Sequence, residues 1–216
     1  MQNDLIITLA WPESMVTGPG SWYDKFASTK GKYRVGHSAM VLINSETQKS
    51  HYFDFGRYHT PQGYGRVRDI ETDADVAVIN PEIKKGEIVN IKDILLHLKC
   101  MKSTHAKGKM YASLIMGINF TNAFATAKTI QGKGMLPYGP FTQRGTNCSR
   151  FVAAVIRSSG IPWIKRLRFK YPFCISPSPK RNVSISNHHY YVVEKNNFFE
   201  VKKSKLRAYF TSIESQ

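Results

Sequence analysis

The sequence has few acidic residues, and it lacks a long apolar run. Its 216 residues include 15 Asp and Glu against 31 Lys and Arg, which gives a formal net charge of +16. No stretch reaches the ~18 apolar residues that a membrane-spanning helix needs, so a transmembrane segment is not expected. The first apolar run, residues 5–10, follows Asp4 and is too short for a signal peptide. We predict that it forms a first strand.

Cysteine is also scarce. Cys100, Cys148 and Cys174 cannot all pair with one another, and none shows the Cys-x-x-Cys spacing of a zinc site. A disulfide framework is therefore excluded, and we expect neither a metal nor another cofactor. Unpaired cysteines suit a reducing compartment, so we predict a cytoplasmic location. Cys100 lies in a helical apolar pattern and is expected to pack in the core.

The length and the apolar periodicity predict one α+β domain over residues 1–216, built around an antiparallel sheet. Helices are predicted near Trp22 and over residues 91–99, 119–131 and 148–159. Residues 35–43 and 50–55 form a predicted hairpin, and residues 190–194 and 198–201 form another. Residues 66–70 and 76–79 are predicted to be short strands.

Cys148 is placed at the first turn of a predicted helix. Asn147 is a good N-cap, and the apolar residues that follow Cys148 recur at helical spacing as far as Ile156. A helix N-terminus favours a thiolate over a thiol, and its N–H groups can bind the oxyanion of an attacked carbonyl. The alternative is an inert cysteine that only packs on the apolar face of the helix.

His37 lies within the first predicted strand, residues 35–43, and supplies a candidate base. A base needs a third group that fixes its tautomer, and the neighbouring strand carries Asp54, with His51 in reserve on its other face. A glycine-, aromatic- and arginine-rich loop, residues 56–66, follows Asp54 directly and is a candidate rim of the cleft. The alternative for His37, taken alone, is a buried core histidine without a catalytic role. Its pairing with Cys148 favours the interpretation as a catalytic base.

The string Asn147-Cys148-Ser149-Arg150-Phe151-Val152 resembles the Asp-Cys-Ser-x-Phe/Leu-Val motif of NlpC-type papain-like cysteine peptidases. Tyr138-Gly139, ten residues before the cysteine, is similar to the Tyr-x-x-Gly-Gly element of that superfamily. The histidine strand precedes the cysteine here, and this order resembles the circularly permuted branch, with its YiiX-like and lecithin retinol acyltransferase-like members. Asn147 stands where Asp is common.

The resemblance implies a papain-like permuted NlpC-type fold, in which an antiparallel sheet packs against the helix that bears the nucleophile. Cys148 matches the nucleophile, His37 the base, Asp54 the acidic third residue and Tyr138 a tyrosine that lines the site. The implied function is a thiol hydrolase, a peptidase or amidase, that acts through a thioester acyl-enzyme. The alternatives are an acyltransferase or thioesterase with the same triad, and a non-catalytic binding module. The predicted substrate-binding residues are Tyr138, Asn147, Ser149, His51 and Arg57.

The excess of basic over acidic residues indicates which kinds of partner the protein binds. The expected substrate is a peptide, an amide or an acyl ester. Lysine and arginine cluster in residues 165–170, 180–181 and 202–207, which suits acidic partners or an anionic membrane surface. No RNA-binding motif accompanies these clusters, so a nucleic-acid partner is not expected. The sequence does not determine the oligomeric state.

Overall fold

A computed structural model describes residues 4–17, 32–34, 36–140, 142–171 and 177–204. Its strands are β1 Leu5–Trp11, β2 Met15–Thr17, β3 Lys32–Arg34, β4 His37–Asn44, β5 Lys49–Gly56, β6 Tyr64–Arg68, β7 Ile83–Lys84, β8 Glu87–Ile88, β9 Met110–Met116, β10 Leu136–Pro137, β11 His189–Glu194 and β12 Asn197–Lys202. Its α-helices are α1 Ile91–Cys100, α2 Phe120–Gln131, α3 Cys148–Ser158, α4 Trp163–Lys170 and α5 Pro179–Ser186.

Eight strands form one antiparallel sheet in the order β10-β6-β5-β4-β1-β9-β11-β12. The predicted hairpins are both present: β4 pairs with β5, and β11 pairs with β12. In the register of the central strands, Asp54 lies opposite Ala39 on one side and opposite Arg68 on the other. Three neighbouring strands therefore bring the start of β4 close to Asp54 and Arg68.

Each face of the sheet has its own apolar core, because alternate residues of a strand point to opposite faces. On one face, Ile6, Phe53 and Phe55 pack with residues of α2 and α3. On the other face, Leu5, Ala39 and Tyr52 share a core with α1. The fold is α+β, with an antiparallel sheet packed against the helix that begins at Cys148, as expected of a papain-like fold.

The helix α3 has the predicted boundaries. The side chain of Asn147 caps its first turn by accepting a hydrogen bond from the Arg150 N–H at 2.9 Å. Ser159 is the C-cap, and Gly160 follows with φ +75°, a left-handed conformation that glycine adopts without a steric penalty. Phe151, Val152 and the other apolar residues of the predicted stripe are buried.

Several predictions from the sequence need correction. Residues 76–79 do not form a strand; Ala74–Val76 form one 3₁₀ turn, and an irregular segment follows. Cys100 is exposed and not in the core, because the buried stripe of α1 is Ile94, Leu95 and Leu98, and position 100 points away from it. The strand β9 and the helices α4 and α5 were not predicted.

Other predictions fall outside what the structure describes. The helix near Trp22 and Cys174 lie in residues that the structure does not describe. That residues 1–216 form a single domain therefore stays a prediction. Among the described residues, no helix combines the length and apolar character needed to cross a membrane.

Candidate active site

His37 and Cys148 each begin a secondary-structure element. His37 is the first residue of β4, and Gly36 before it has φ +73°. A Cβ atom on Gly36 would lie 2.8 Å from the Trp11 carbonyl oxygen, so only glycine fits this approach. Cys148 is the first residue of α3, directly after the Asn147 cap. Both side chains therefore project from backbone of defined conformation, which the Gly36 turn sets for His37 and the Asn147 cap sets for Cys148.

His37 is held from two sides. Its Nε2 atom lies 3.1 Å from Oδ2 of Asp54, and both side chains are buried. The ring of Trp11 stacks on the imidazole with centroids 5.7 Å apart. Since Asp54 accepts the hydrogen bond of Nε2, the other ring nitrogen, Nδ1, is left to exchange a proton with the thiol. Asp54 thus sets the tautomer of His37, and Asp54 and Trp11 together set the orientation of its ring.

Asp54 accepts hydrogen bonds from three further side chains. The hydroxyl of Tyr52 donates to Oδ2 at 3.0 Å, and that of Tyr58 donates at 2.9 Å. Arg68 binds both carboxylate oxygens, with Nε 3.1 Å from Oδ1 and Nη2 2.8 Å from Oδ2. Asp54 is completely buried, and these donors replace the water that its charge would otherwise require.

Arg68 is itself fixed by its neighbours. Its Nη2 atom also donates to the Ser103 carbonyl oxygen at 3.0 Å, and its guanidinium lies 3.2 Å from the centroid of the Tyr58 ring. Arg68 and Tyr58 were not identified from the sequence. A signal existed for both: Tyr58 lies in the candidate rim loop that follows Asp54, and Arg68 lies on the next predicted strand. Neither signal is specific without the register.

The surroundings of His37 raise its pKa to about 9. Burial alone would lower this pKa, because it disfavours the imidazolium. The hydrogen bond to Asp54, the interaction with Cys148 and the charges of both groups outweigh the burial. Burial would raise the pKa of Asp54, but His37 and Arg68 hold it well below its usual range. Asp54 is therefore ionised, and His37 is protonated at neutral pH.

The thiol of Cys148 has a lowered pKa. Burial would raise it, but the hydrogen bond and the charge of His37 overcome that effect. The backbone N–H of Ser38 and the hydroxyl of Ser149 add further hydrogen bonds that favour the thiolate. The two pKa values therefore move in opposite directions, which favours a thiolate beside an imidazolium.

Two of the predicted substrate-binding residues, Tyr138 and Ser149, lie next to Cys148, and a third, Arg57, lies beside Tyr138. The hydroxyl of Tyr138 donates to Sγ at 4.0 Å, and the Tyr138 ring stacks on Phe55 with centroids 5.8 Å apart. Ser149 Oγ lies 3.9 Å from the same sulfur. The guanidinium of Arg57, in the rim loop, lies 5.4 Å from the Tyr138 ring centroid. A fourth, Asn147, uses its side chain to cap α3.

The structure does not bring His51 to this site. Its ring contacts Phe120 and Phe124 of α2, on the face of the sheet opposite to Asp54. Neighbouring positions of a strand point to opposite faces, so His51 cannot replace Asp54 as the partner of His37. Two other histidines also lie away from the role of base: His105 stacks on the Tyr58 ring, and His189 is on β11, three strands from β4.

Comparisons with known proteins add two matches. A family model described as type VI secretion system effector TseH-like matches residues 6–161. The fold is similar to the crystal structure of the type VI secretion system effector TseH, with a TM-score of 0.64 and 19% identity. That similarity covers 93% of this chain and 99% of the other. A search of curated protein sequences gave no significant match.

Proposed function

This chain belongs to the TseH-like family of type VI secretion system effectors, and on that premise we propose that it is a cysteine hydrolase of amide bonds. The proposal depends above all on one observation: the thiol of Cys148, at the start of a helix, interacts with an imidazole whose Nε2 is bound by the buried Asp54. A cysteine nucleophile needs a base and an orienting group in this arrangement. We assign these roles to His37 and Asp54.

In the proposed reaction, the Cys148 thiolate attacks the carbonyl carbon of an amide. The carbon–nitrogen bond breaks, His37 gives its proton to the leaving amine, and a thioester remains on Cys148. Water then attacks the thioester while His37 takes its proton. The acid leaves, and the thiolate and imidazolium are restored. Asp54 keeps the imidazole oriented through both steps.

The oxyanion that forms in each step needs donors close to Sγ. We propose the backbone N–H of Cys148, at the positive end of the α3 dipole, and the hydroxyl of Tyr138. The pKa of Tyr138 lies well above its ordinary value, first because of burial and then because of the negative charge on Cys148. Its hydroxyl therefore keeps its proton and can act as a donor.

The chain order, with the His37 strand before the Cys148 helix, supports a place in the circularly permuted branch that the sequence resembles. The substrate class in this proposal is a peptide or another amide. The cytoplasmic location stays a prediction that rests on the cysteine content.

Alkylation of Cys148 by iodoacetamide, followed by mass spectrometry between pH 5 and pH 10, tests the thiolate. We expect fast labelling well below the ordinary cysteine pKa of about 8.5, and its loss in His37→Ala. Cys100, which is exposed, is labelled in the same sample and serves as the internal comparison. The exposed His59 gives the matched control His59→Ala, which should label like the wild type.

Hydrolysis of a peptide or amide library distinguishes the chemistry. Release of an amine, with a Cys148 acyl adduct seen by mass spectrometry, supports the proposal. Turnover of acyl esters alone, with rates that rise with acyl chain length, would indicate a thioesterase or acyltransferase. Slow labelling of Cys148 that His37→Ala does not change would contradict the proposal that the protein is an enzyme and would favour a non-catalytic binding module.

A further inference from the structure

The helix α4, Trp163–Lys170, turns apolar side chains towards solvent. The exposed fractions are 69% for Trp163, 52% for Ile164 and 41% for Leu167, and Tyr171 directly after the helix is 61% exposed. Trp163, Ile164 and Leu167 have the spacing of neighbours on one helix face. We call these four residues the α4 apolar face.

The inward side of α4 carries charge as well as Phe169, which is buried. Lys165 is half-buried there, and its Nζ donates to the Ser186 carbonyl oxygen at 2.8 Å. Burial, and then the charge of Arg168, lower the pKa of Lys165. A surface helix ordinarily turns its apolar side to the core and its charges to water. The helix α4 partly inverts this arrangement, which indicates that its outer face meets something apolar.

The surroundings of the α4 apolar face are basic. Arg166 and Lys170 are exposed on the same helix. The sequence contains no aspartate or glutamate between Asp93 and Glu194, so no acidic residue of that long stretch offsets them. Lys170 also lines a cavity of about 360 Å³ together with Arg150 and Arg157. Burial, and then the charges of neighbouring arginines, lower the pKa of Arg157. This cluster of cations would gain from an anionic ligand.

We propose that the α4 apolar face docks on an anionic lipid surface. Tryptophan and tyrosine with aliphatic neighbours insert at the boundary between headgroups and acyl chains, while lysine and arginine bind anionic headgroups. The positive charge favours an anionic lipid surface over an apolar groove of another protein. Exposed cations surround the apolar residues, and further cations line the adjoining cavity. The face belongs to α4, whereas the Cys148 thiol lies at the start of α3, so docking does not use the catalytic groups.

Vesicle co-sedimentation tests the proposal. The full chain is mixed with vesicles of phosphatidylglycerol and phosphatidylcholine, or of phosphatidylcholine alone, at 0.1 M and 0.5 M salt. We expect binding to the anionic vesicles that weakens at high salt, and a blue shift of tryptophan emission. Arg166→Gln with Lys170→Gln should weaken binding by about twenty-five-fold, since each cation near the surface contributes about fivefold. Ile164→Ser with Leu167→Ser, which keeps Trp163 as the reporter, should abolish both the co-sedimentation and the blue shift.

Matched controls use residues away from α4. Phe199→Ser removes an apolar side chain that is 50% exposed on β12, and Lys84→Gln with Lys85→Gln removes two exposed cations. Both controls should bind as the wild type does. Alkylation of Cys148 should be unchanged in every variant, which separates this proposal from the proposed catalysis. Absence of vesicle binding, equal loss in the controls, or a solution dimer that Trp163→Ser dissociates would overturn the proposal.

Discussion

Replacing Asp54 by asparagine should destabilise the protein far more than the loss of one hydrogen bond would. The substitution keeps the shape of the side chain but removes the counter-charge of Arg68, whose side chain is 3% exposed. A buried charge left without its partner costs about 3–5 kcal/mol. Since small proteins have a free energy of unfolding of about 5–15 kcal/mol, this cost is a large share of the total.

The strand β6 offers a matched pair for comparison. Arg66 binds Asp73 through both terminal nitrogens, at 2.6 and 2.7 Å, but these side chains are 21% and 12% exposed. Solvent reaches this pair and lowers the cost of losing one partner, so Asp73→Asn should cost about 1–2 kcal/mol, less than Asp54→Asn. Urea unfolding at pH 7, followed by circular dichroism, measures both variants. Equal losses for Asp54→Asn and Asp73→Asn would refute the reasoning.

Two further measurements sharpen this test. The lowered pKa of Asp54 stabilises the folded wild type above its unfolded value of about 4, and this stabilisation is lost as the pH falls through the lowered value. The difference in the free energy of unfolding between the wild type and Asp54→Asn should therefore become smaller below about pH 4. The double variant Asp54→Asn with Arg68→Met should be more stable than the sum of the single losses predicts, because it removes both charges. A difference in unfolding free energy that does not change with pH would contradict this explanation. So would a double variant whose loss of stability equals the sum of the two single losses.

Three other predictions concern the orientation of the site. Tyr58→Phe removes one donor to Asp54, so kcat/KM should fall about three- to tenfold while the fold persists, as steady-state kinetics and circular dichroism will show. Gly36→Ala should lower stability by about 1–3 kcal/mol and slow the alkylation of Cys148, since a Cβ there meets the Trp11 carbonyl; wild-type values would contradict this. Asn147→Ala removes the cap of α3 and should cost about 1 kcal/mol in urea unfolding, with thiol labelling shifted to higher pH.

Local signals in the sequence were sufficient for the elements that carry the candidate site. The Asn147 cap and the apolar stripe after it predicted α3, and alternation predicted both hairpins. Local signals were not sufficient where the tertiary surroundings of a residue determine its burial or its secondary structure. Cys100 has helical neighbours but points to solvent. The strand β9 shows no clear alternation of polar and apolar residues, because it lies between β1 and β11 and most of its residues on both faces are buried.

The sequence by itself determined the candidate chemistry: a cysteine at a helix start, a histidine within a strand and an aspartate on the next strand. Periodicity and capping are local, so neighbouring residues are enough to reveal them. Only the tertiary structure decided that Arg68 and Tyr58 bind the Asp54 carboxylate, and that His51 lies on the opposite face. Those outcomes depend on strand register and on which groups replace water around a buried charge, and neither is written in any one segment of the chain.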